Sequence, residues 1–172
     1  MNDEVILVDR NDNPIGTAEK MEAHRSGRLH RAFSVFVFHP DGRLLLQKRA
    51  DQKYHSGGLW SNSCCSHPRP GEDTLAAAHR RLREEMGIDC ALEDVHQFIY
   101  HAKFANGLTE HEYDHVLVGT SDAKPTIDPA EVGDWRWADL LSLKADMHAD
   151  SDKYTHWFKV SLGDVIAKLR DH

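Results

Sequence analysis

The sequence predicts a single α/β domain in which helices pack against a mixed β-sheet. Short segments rich in β-branched and aromatic residues alternate with a few segments of helical periodicity, a mixture typical of α/β layer folds. The chain has 172 residues and 40% of them are hydrophobic, which is enough for one buried core but short for two. Because the sequence shows no repeat, low-complexity tract or interdomain linker, we predict one domain spanning residues 1–172.

A hairpin and a central pair of strands are predicted near the N-terminus. The segment EVILVD predicts a strand, and NDNPIG supplies the Asn, Pro and Gly of a turn after it. Residues 29–38 (LHRAFSVFVF) carry β-branched and aromatic side chains on both faces, as buried central strands do. The turn HPDG then leads to RLLLQKR, the predicted pairing partner of that strand.

A loop and a helix are predicted in the middle of the chain. The segment YHSGGLWSNSCCSHPRPG is rich in Gly, Ser and Pro, so we expect loop and irregular strand at the surface. The segment EDTLAAAHRRLREEMG predicts a helix that begins after acidic residues and ends at Gly87. Its apolar residues recur at helical spacing, at Leu75, Ala78, Leu82 and Met86.

Three further strands and two helices are predicted in the C-terminal half. The segments VHQFIYHAKF and EHEYDHVLVGT predict two strands joined by the turn ANGLT. The segment WRWADLLSL predicts a strand that runs into a short helix. An apolar stripe on a final helix is formed by Phe158, Leu162, Val165 and Leu169.

Composition and charge argue against several classes of partner. The chain has 21 Lys and Arg against 28 Asp and Glu, and its formal charge of -7 gives no reason to expect nucleic acid. The sequence shows neither a secretory leader pattern nor an apolar stretch of about 18 residues, so we expect a cytoplasmic protein without a membrane partner. Three cysteines, two of them adjacent, favour a reducing compartment. The oligomeric state is left open.

The central helix carries a longer motif. Counted back from Gly87, the residue types of a Nudix box are matched at Glu72, Arg80, Leu82, Glu84, Glu85 and Ile88. The sequence therefore resembles Nudix proteins, which implies a Nudix-like α/β/α sandwich with a mixed β-sheet. In such a box the glutamates hold a divalent cation against a diphosphate. Taken alone, the spacings of Arg80 to Glu84 and Arg81 to Glu85 also suit ordinary ion pairs on a solvent face.

Two positions depart from the box. Its first Gly is Ser66 here, and its Arg-Glu pair is Arg80-Arg81. Hydrolysis of a diphosphate needs the missing carboxylate to organise metal and water, whereas a guanidinium binds phosphate oxygens as a bidentate donor. The sequence therefore predicts a scaffold that holds diphosphate without cleaving it.

Type I isopentenyl-diphosphate isomerases have such an altered box, and the chain resembles them in EKMEAH, RLHRAF, WSNSCCSHP, RRLREEMG and EHE. The resemblance implies interconversion of isopentenyl diphosphate and dimethylallyl diphosphate in isoprenoid biosynthesis, through a tertiary carbocation. It also implies one divalent metal, Mn or Zn, bound by His24, His30, His67, Glu110 and Glu112. Strand alternation agrees, because residues two apart share a face while His111 points away.

The resemblance assigns the proton-transfer residues too. The catalytic cysteine of the family lies two residues before the loop histidine, which implies Cys65, whereas Cys64 is expected to be a small buried hydrophobe. Glu112 and Tyr100 would act on the other side of the substrate, and the direction of proton donation is left open. Trp157 matches an aromatic lid whose π face stabilises positive charge, and it is equally compatible with a place in the core.

Diphosphate binding is assigned to four cationic residues, with Mg²⁺ bridging the diphosphate to Glu85. They are Lys20, Arg49, Lys53 and Arg81, of which Arg49 and Lys53 equally suit solvated surface positions. The remaining histidines, His55 among them, are each expected to be ordinary surface or core residues.

Two other functions compete with this interpretation. The first is a Nudix hydrolase of a nucleoside diphosphate derivative, which needs a carboxylate at position 81 and has no use for Cys65. The second is a non-catalytic diphosphate-binding Nudix module, against which the pairing of Cys65 with Glu112 argues.

Overall fold

The computed structural model describes residues 3–170, so both ends of the predicted domain 1–172 lie outside the described residues. Within that range the strands are β1 (Glu4–Val8), β2 (Pro14–Glu19), β3 (His30–Phe38), β4 (Leu44–Arg49), β5 (Trp60–Ser61), β6 (Cys64–Ser66), β7 (Glu93–Lys103), β8 (Thr109–Thr120) and β9 (Val132–Ala138). The helices are α1 (Lys20–Ser26), α2 (Thr74–Met86), α3 (Leu140–Ala149) and α4 (His156–Arg170), with a 3₁₀ turn at Ser151–Lys153. No helix in residues 3–170 has the length and apolar character needed to cross a membrane.

The strands form one mixed sheet around β3. This strand runs parallel to β8 over its whole length, and β8 is antiparallel to β7. The predicted hairpins β1–β2 and β7–β8 are both confirmed. On the other side of β3 the sheet continues through β4, which pairs with β5 and β9.

The predicted pairing of β3 with β4 is correct only beside their turn, where Phe38 pairs with Leu44. Beyond that pair the strands separate, and the side chain of Ser63 fills the gap. Its Oγ accepts from the Val37 N–H at 2.8 Å and donates to the Leu45 carbonyl at 2.7 Å. Strand β6 then pairs with β3. Strand β4 instead pairs with β9 along its whole length.

This insertion also corrects the surface location predicted for the Gly- and Ser-rich segment. Ser61, Asn62, Ser63 and Cys64 are all completely buried, because the segment lies between two strands of the sheet. The polar side chains satisfy buried backbone groups, as burial requires. Asn62, for example, donates to the carbonyls of Val35 and Cys64.

Helix α2 has the predicted ends. Asp73 caps its N-terminus by accepting from the Ala76 N–H, and Gly87 ends it with a left-handed φ of 66°. The prediction was wrong for Leu75, which is 40% exposed. Since successive residues turn about 100° around a helix, the burial of Ala77 and Glu85 shifts the buried face away from Leu75.

Helices cover both faces of the sheet, which confirms the α/β/α sandwich. On one face α2 packs on Phe33 and Val35 of β3. On the other face α4 packs on Phe36 and Phe38. The stripe predicted on α4 is confirmed, with three residues buried and the last partly buried, at Phe158, Leu162, Val165 and Leu169.

Replacing Gly87 by Ala is expected to destabilise the fold. The residue has a φ of 66°, and a Cβ there would lie 2.5 Å from the Thr126 carbonyl oxygen. We expect the free energy of unfolding to fall by about 1 kcal/mol or more, measured by urea denaturation. Gly163→Ala in α4 is the control, because its Cβ would meet no atom within 4 Å. Equal midpoints for both variants would contradict the argument.

Candidate active site

A cavity lies at the end of the sheet where α1, β6 and β8 meet. Its walls bring together nine of the predicted site residues, namely Lys20, Arg49, Lys53, Cys65, His67, Arg81, Glu110, Glu112 and Trp157. Four others, His24, His30, Glu85 and Tyr100, are buried and are not among the cavity-lining residues. The cavity therefore assembles most of the predicted site from distant segments of the chain.

A group of potential metal ligands lies at the base of this cavity. His24 comes from α1, His30 begins β3, His67 follows β6, and Glu112 lies on β8. One nitrogen or oxygen from each lies within 4.8 Å of the corresponding atom of every other. His24 and His30 are completely buried.

Backbone contacts fix the ring nitrogens of two of these histidines. The Nδ1 of His24 is 2.7 Å from the Lys20 carbonyl, and that of His30 is 2.9 Å from the Arg28 carbonyl. A carbonyl can only accept, so each Nδ1 donates its hydrogen and each Nε2 presents a lone pair. Both Nε2 atoms are buried without a hydrogen-bond partner among the described residues. Such nitrogens suit a divalent cation.

The distances around Glu112 agree with a shared cation. Its Oε2 is 2.8 Å from His67 Nε2 and 3.4 Å from His30 Nε2. Two ligands about 2.1 Å from one ion and at right angles lie about 3 Å apart.

Burial and neighbouring charges shift the pKa values of these groups in different directions. Burial opposes protonation of His30, but the adjacent Glu112 carboxylate outweighs it and raises the pKa of His30. Burial, together with the charges of His30 and His24, lowers the pKa of His67 well below its usual value. Burial also lowers the pKa of His24. Burial acts to raise the pKa of Glu112, but the adjacent His30 imidazole outweighs it, so the pKa of Glu112 is lowered. Neutral imidazoles and an ionised carboxylate are the forms that bind metals.

Glu110 and Glu112 confirm the alternation predicted for β8. Both carboxylates are buried, while the Nδ1 of His111 contacts the Gly27 carbonyl at 3.1 Å. Burial and the neighbouring Glu112 raise the pKa of Glu110. Glu110 belongs to a second group of potential ligands, with His24 and His55.

His55 is the site residue that sequence reasoning missed. It is 5% exposed, and its Nε2 is 3.4 Å from Glu110 Oε2. The residue lies in a Gly- and Ser-rich loop, so no spacing relative to the other ligands distinguished it from an ordinary loop histidine.

The adjacent cysteines of β6 point to opposite faces of the sheet. Cys64 lies in the core beneath α2, with its Sγ 3.3 Å from Glu85 Oε2. Cys65 lines the cavity, with its Sγ 3.9 Å from Arg49 Nη1. Burial raises the pKa of Cys65 to about 12, although Arg49 opposes this change. The Cys65 thiol is therefore protonated near neutral pH.

Tyr100 lies directly opposite Glu112 in the register of β7 and β8, so the two side chains share a face. Its hydroxyl is buried and finds no hydrogen-bond partner within residues 3–170. Burial and the charges of Glu110 and Glu112 raise its pKa.

Trp157 belongs both to the core and to the cavity wall. It is 3% exposed, and its Nε1 donates to Asn62 Oδ1 at 3.2 Å. The guanidinium carbon of Arg49 is 5.1 Å from the centroid of its ring. Arg49 is itself buried, so it is not a solvated surface charge.

Positive charge is concentrated at the cavity mouth around one carboxylate. Glu131 forms an ion pair with Lys53 and lies 3.5 Å from Arg81 Nη2. Burial lowers the pKa of Lys20, although Asp3 opposes this effect. Further cations that line the cavity are Arg69 and Arg80.

Glu85 lies behind Arg81. One oxygen of its carboxylate is 3.3 Å from Arg81 Nη2 and from Cys64 Sγ, and the other is 3.4 Å from Gln47 Nε2. Both oxygens thus have protein partners, and Glu131 is among the carboxylates that line the cavity. The assignment of Mg²⁺ to Glu85 stays a prediction.

Comparison with known proteins identifies the family. The NUDIX domain family matches residues 28–158. The chain is 54% identical over 167 residues to isopentenyl-diphosphate Delta-isomerase 2 of Aromatoleum aromaticum, covering 97% of this chain and 88% of that protein. It is 58% identical over 159 residues to isopentenyl-diphosphate Delta-isomerase 2 of Photorhabdus laumondii, covering 92% and 90% of the two chains.

Solved structures show the same fold at lower identity. Protein DR0079 of Deinococcus radiodurans superposes with a TM-score of 0.77 at 20% identity, over 96% of this chain and 98% of that one. A NUDIX hydrolase from Nitrosomonas europaea gives a TM-score of 0.57 at 19% identity, over 79% and 87%. The chain belongs to the isopentenyl-diphosphate Delta-isomerase family of Nudix proteins.

Proposed function

We propose that this chain, acting as one domain, interconverts isopentenyl diphosphate and dimethylallyl diphosphate in isoprenoid biosynthesis. The observation that carries the proposal is a single cavity lined by a protonated thiol, Cys65, and a buried carboxylate, Glu112, beneath a cluster of cations. Relatives named for this reaction are 54% and 58% identical to the chain.

The reaction needs a proton added at one carbon and another removed two carbons away. Protonation of the terminal methylene of isopentenyl diphosphate gives a tertiary carbocation, and loss of a proton from the neighbouring methylene gives dimethylallyl diphosphate. No electrons are gained or lost overall. An unactivated alkene is a weak base, so the site must hold an acid and a base on two sides of the substrate and exclude water.

Cys65 on one side, and Glu112 with Tyr100 on the other, are the proposed acid and base. The reaction is reversible, so each group donates in one direction and accepts in the other. The ring of Trp157, which lines the same cavity, is the proposed group that stabilises the carbocation. Glu112 is buried and Cys65 is half-buried, which limits the access of water that would trap this cation.

The proposed metal ligands are His24, His30, His67, Glu110 and Glu112, for one Mn²⁺ or Zn²⁺ ion. Four of them form one group of donor atoms, and Glu110 shares a second group with His24. When bound, such an ion lowers the pKa of a coordinated carboxyl group and fixes its orientation. The carbonyls of Lys20 and Arg28 orient the rings of His24 and His30 toward the site.

The proposed diphosphate site is the cluster of Lys20, Lys53 and Arg81, with Arg49 deeper in the cavity and Mg²⁺ accompanying the diphosphate toward Glu85. Arg81 occupies the position where a Nudix hydrolase needs a carboxylate, so the chain would bind diphosphate without activating water. The formal charge of -7 and this small cavity favour a small-molecule partner over nucleic acid. The three free cysteines agree with the proposed cytoplasmic location.

Replacing Cys65 by Ala is expected to lower kcat by about 10²-fold or more, because the reaction loses one proton-transfer group. The protein is incubated with isopentenyl diphosphate and Mg²⁺ in deuterated water, and deuterium in dimethylallyl diphosphate is measured. Cys64→Ala is the matched control, because Cys64 points into the core and its loss should leave labelling intact. Full activity of Cys65→Ala contradicts the assignment, and phosphate release without labelling would indicate a hydrolase.

Removing the metal is expected to abolish turnover, and added Mn²⁺ or Zn²⁺ should restore it. His67→Ala should lower the bound metal per chain, measured by elemental analysis, because it removes a ligand 2.8 Å from Glu112. His101→Ala is the control, since His101 is exposed on β7. A His67→Ala protein with the metal content of the parent would rule out this ligand.

Replacing Arg81 by Gln is expected to raise KM for isopentenyl diphosphate by about tenfold, because one charge-assisted contact to phosphate is lost. Steady-state kinetics measure the change, and circular dichroism verifies that the variant is folded. Arg83→Gln on the same helix is the control, because the Arg83 side chain is 58% exposed and pairs with Asp89. Equal KM values for the two variants would exclude Arg81 from the diphosphate site.

A further inference from the structure

His55 is held against the metal-ligand cluster by contacts on several sides. Its ring stacks on Phe104, with centroids 4.6 Å apart and planes at 8°. The Trp157 ring lies nearly perpendicular to it, with centroids 5.6 Å apart, and the His55 carbonyl accepts from Arg49 Nη2 at 3.2 Å. These contacts fix both the ring and its backbone, so the direction of the free ring nitrogen is set by the fold.

That free nitrogen is directed at the proposed metal ligands. His55 Nε2 is buried without a hydrogen-bond partner in the described range 3–170, as is Glu110 Oε1. The Nδ1 of His55 lies 3.2 Å from Ser56 Oγ, a hydroxyl that can accept its hydrogen. The 3.4 Å between His55 Nε2 and Glu110 Oε2 equals the separation of His30 Nε2 from Glu112 Oε2.

His24 belongs to both groups of potential ligands. The number of ions that the two groups can bind therefore depends on how many lone pairs His24 offers. The Nδ1 of His24 donates to the Lys20 carbonyl, so His24 has one lone pair to offer. One imidazole lone pair binds one ion. Both groups must therefore serve the same ion if both are used.

We propose that His55 is a sixth protein ligand of the metal ion, bound beside Glu110. The inference rests on the metal centre of the proposed function and adds a residue to it. Four imidazoles and two carboxylates would then supply six protein ligands, the number that Mn²⁺ takes in an octahedral site, and would leave no position for water or substrate.

A filled shell of this kind has two consequences. It favours Mn²⁺ over Zn²⁺, because Zn²⁺ closes its shell at four protein ligands in structural sites. It also restricts the ion to acting through its carboxylate ligands, Glu112 above all, rather than by direct contact with the substrate. The ion then holds the site in shape and sets the protonation of Glu112.

The relaxation rate of water protons in a solution of the Mn²⁺-loaded protein tests whether any water is bound to the ion. Water bound to Mn²⁺ and exchanging with solvent accelerates the relaxation of bulk water protons. We expect the parent protein to bind one Mn²⁺ per chain with no contribution from coordinated water. His55→Ala should open one position, so relaxation should increase, and the dissociation constant for Mn²⁺ should rise tenfold or more.

His156→Ala is the matched control, because its ring contacts Tyr100 at 5.4 Å and His156 belongs to neither ligand group. Both its relaxation and its Mn²⁺ affinity should equal those of the parent. X-ray absorption on the parent gives a second measurement that needs no substitution, and six nitrogen and oxygen ligands, four of them imidazoles, are expected.

The possible outcomes distinguish the ligand role of His55 from the existence of the metal centre. A coordinated water in the parent protein, a shell with fewer than four imidazoles, or a His55→Ala variant with parental relaxation and affinity would each exclude His55 as a ligand while leaving the metal centre in place. A parent protein that binds no Mn²⁺ would overturn the His55 proposal. If that protein also binds no Zn²⁺, the metal centre itself falls.

Discussion

The burial of two carboxylates on neighbouring inward positions of β8 is the constraint on which the site depends. Glu110 and Glu112 are only 4% and 6% exposed, and two like charges this close and this buried are costly unless they are compensated. The chain surrounds them with imidazoles from α1, from the start of β3 and from the loop after β6, and a divalent cation held by this donor set would supply the compensating charge. The parallel pairing of β3 with β8 sets His30 beside Glu112 in register, so sheet formation itself assembles this contact.

The separation of β3 from β4 is the second feature that makes the site possible. A continuous ladder between these strands would leave no room for the segment that carries the two cysteines. Ser63 bridges the separated backbones, and β6 then directs Cys64 into the core and Cys65 into the cavity. Alternation along a strand of three residues thereby gives two adjacent thiols different environments and different chemistry.

Helix α2, which carries the Nudix box, keeps the structural ion pair of the box but has a different residue type at position 81. Arg80 binds Glu72 through two nitrogens at 2.7 and 2.9 Å, which ties the loop to the helix as the motif requires. Arg81, in contrast, lies between Glu85 and Glu131 at the cavity mouth. A cation at this position stands where a Nudix hydrolase needs a carboxylate, and in the proposed function it adds to the positive charge that binds the diphosphate.

The sequence alone determined the fold class and most of the elements, and it predicted nine residues that line one cavity, because periodicity and motifs are local properties of the chain. Alternation predicted the inward direction of Glu110 and Glu112, and capping residues predicted the ends of α2. Only the tertiary structure decided that Leu75 is exposed and that β4 pairs with β9, since burial and strand partners depend on distant segments. It also decided that His55 meets Glu110, because a histidine in a loop has no periodicity, and packing against Phe104 alone directs its ring.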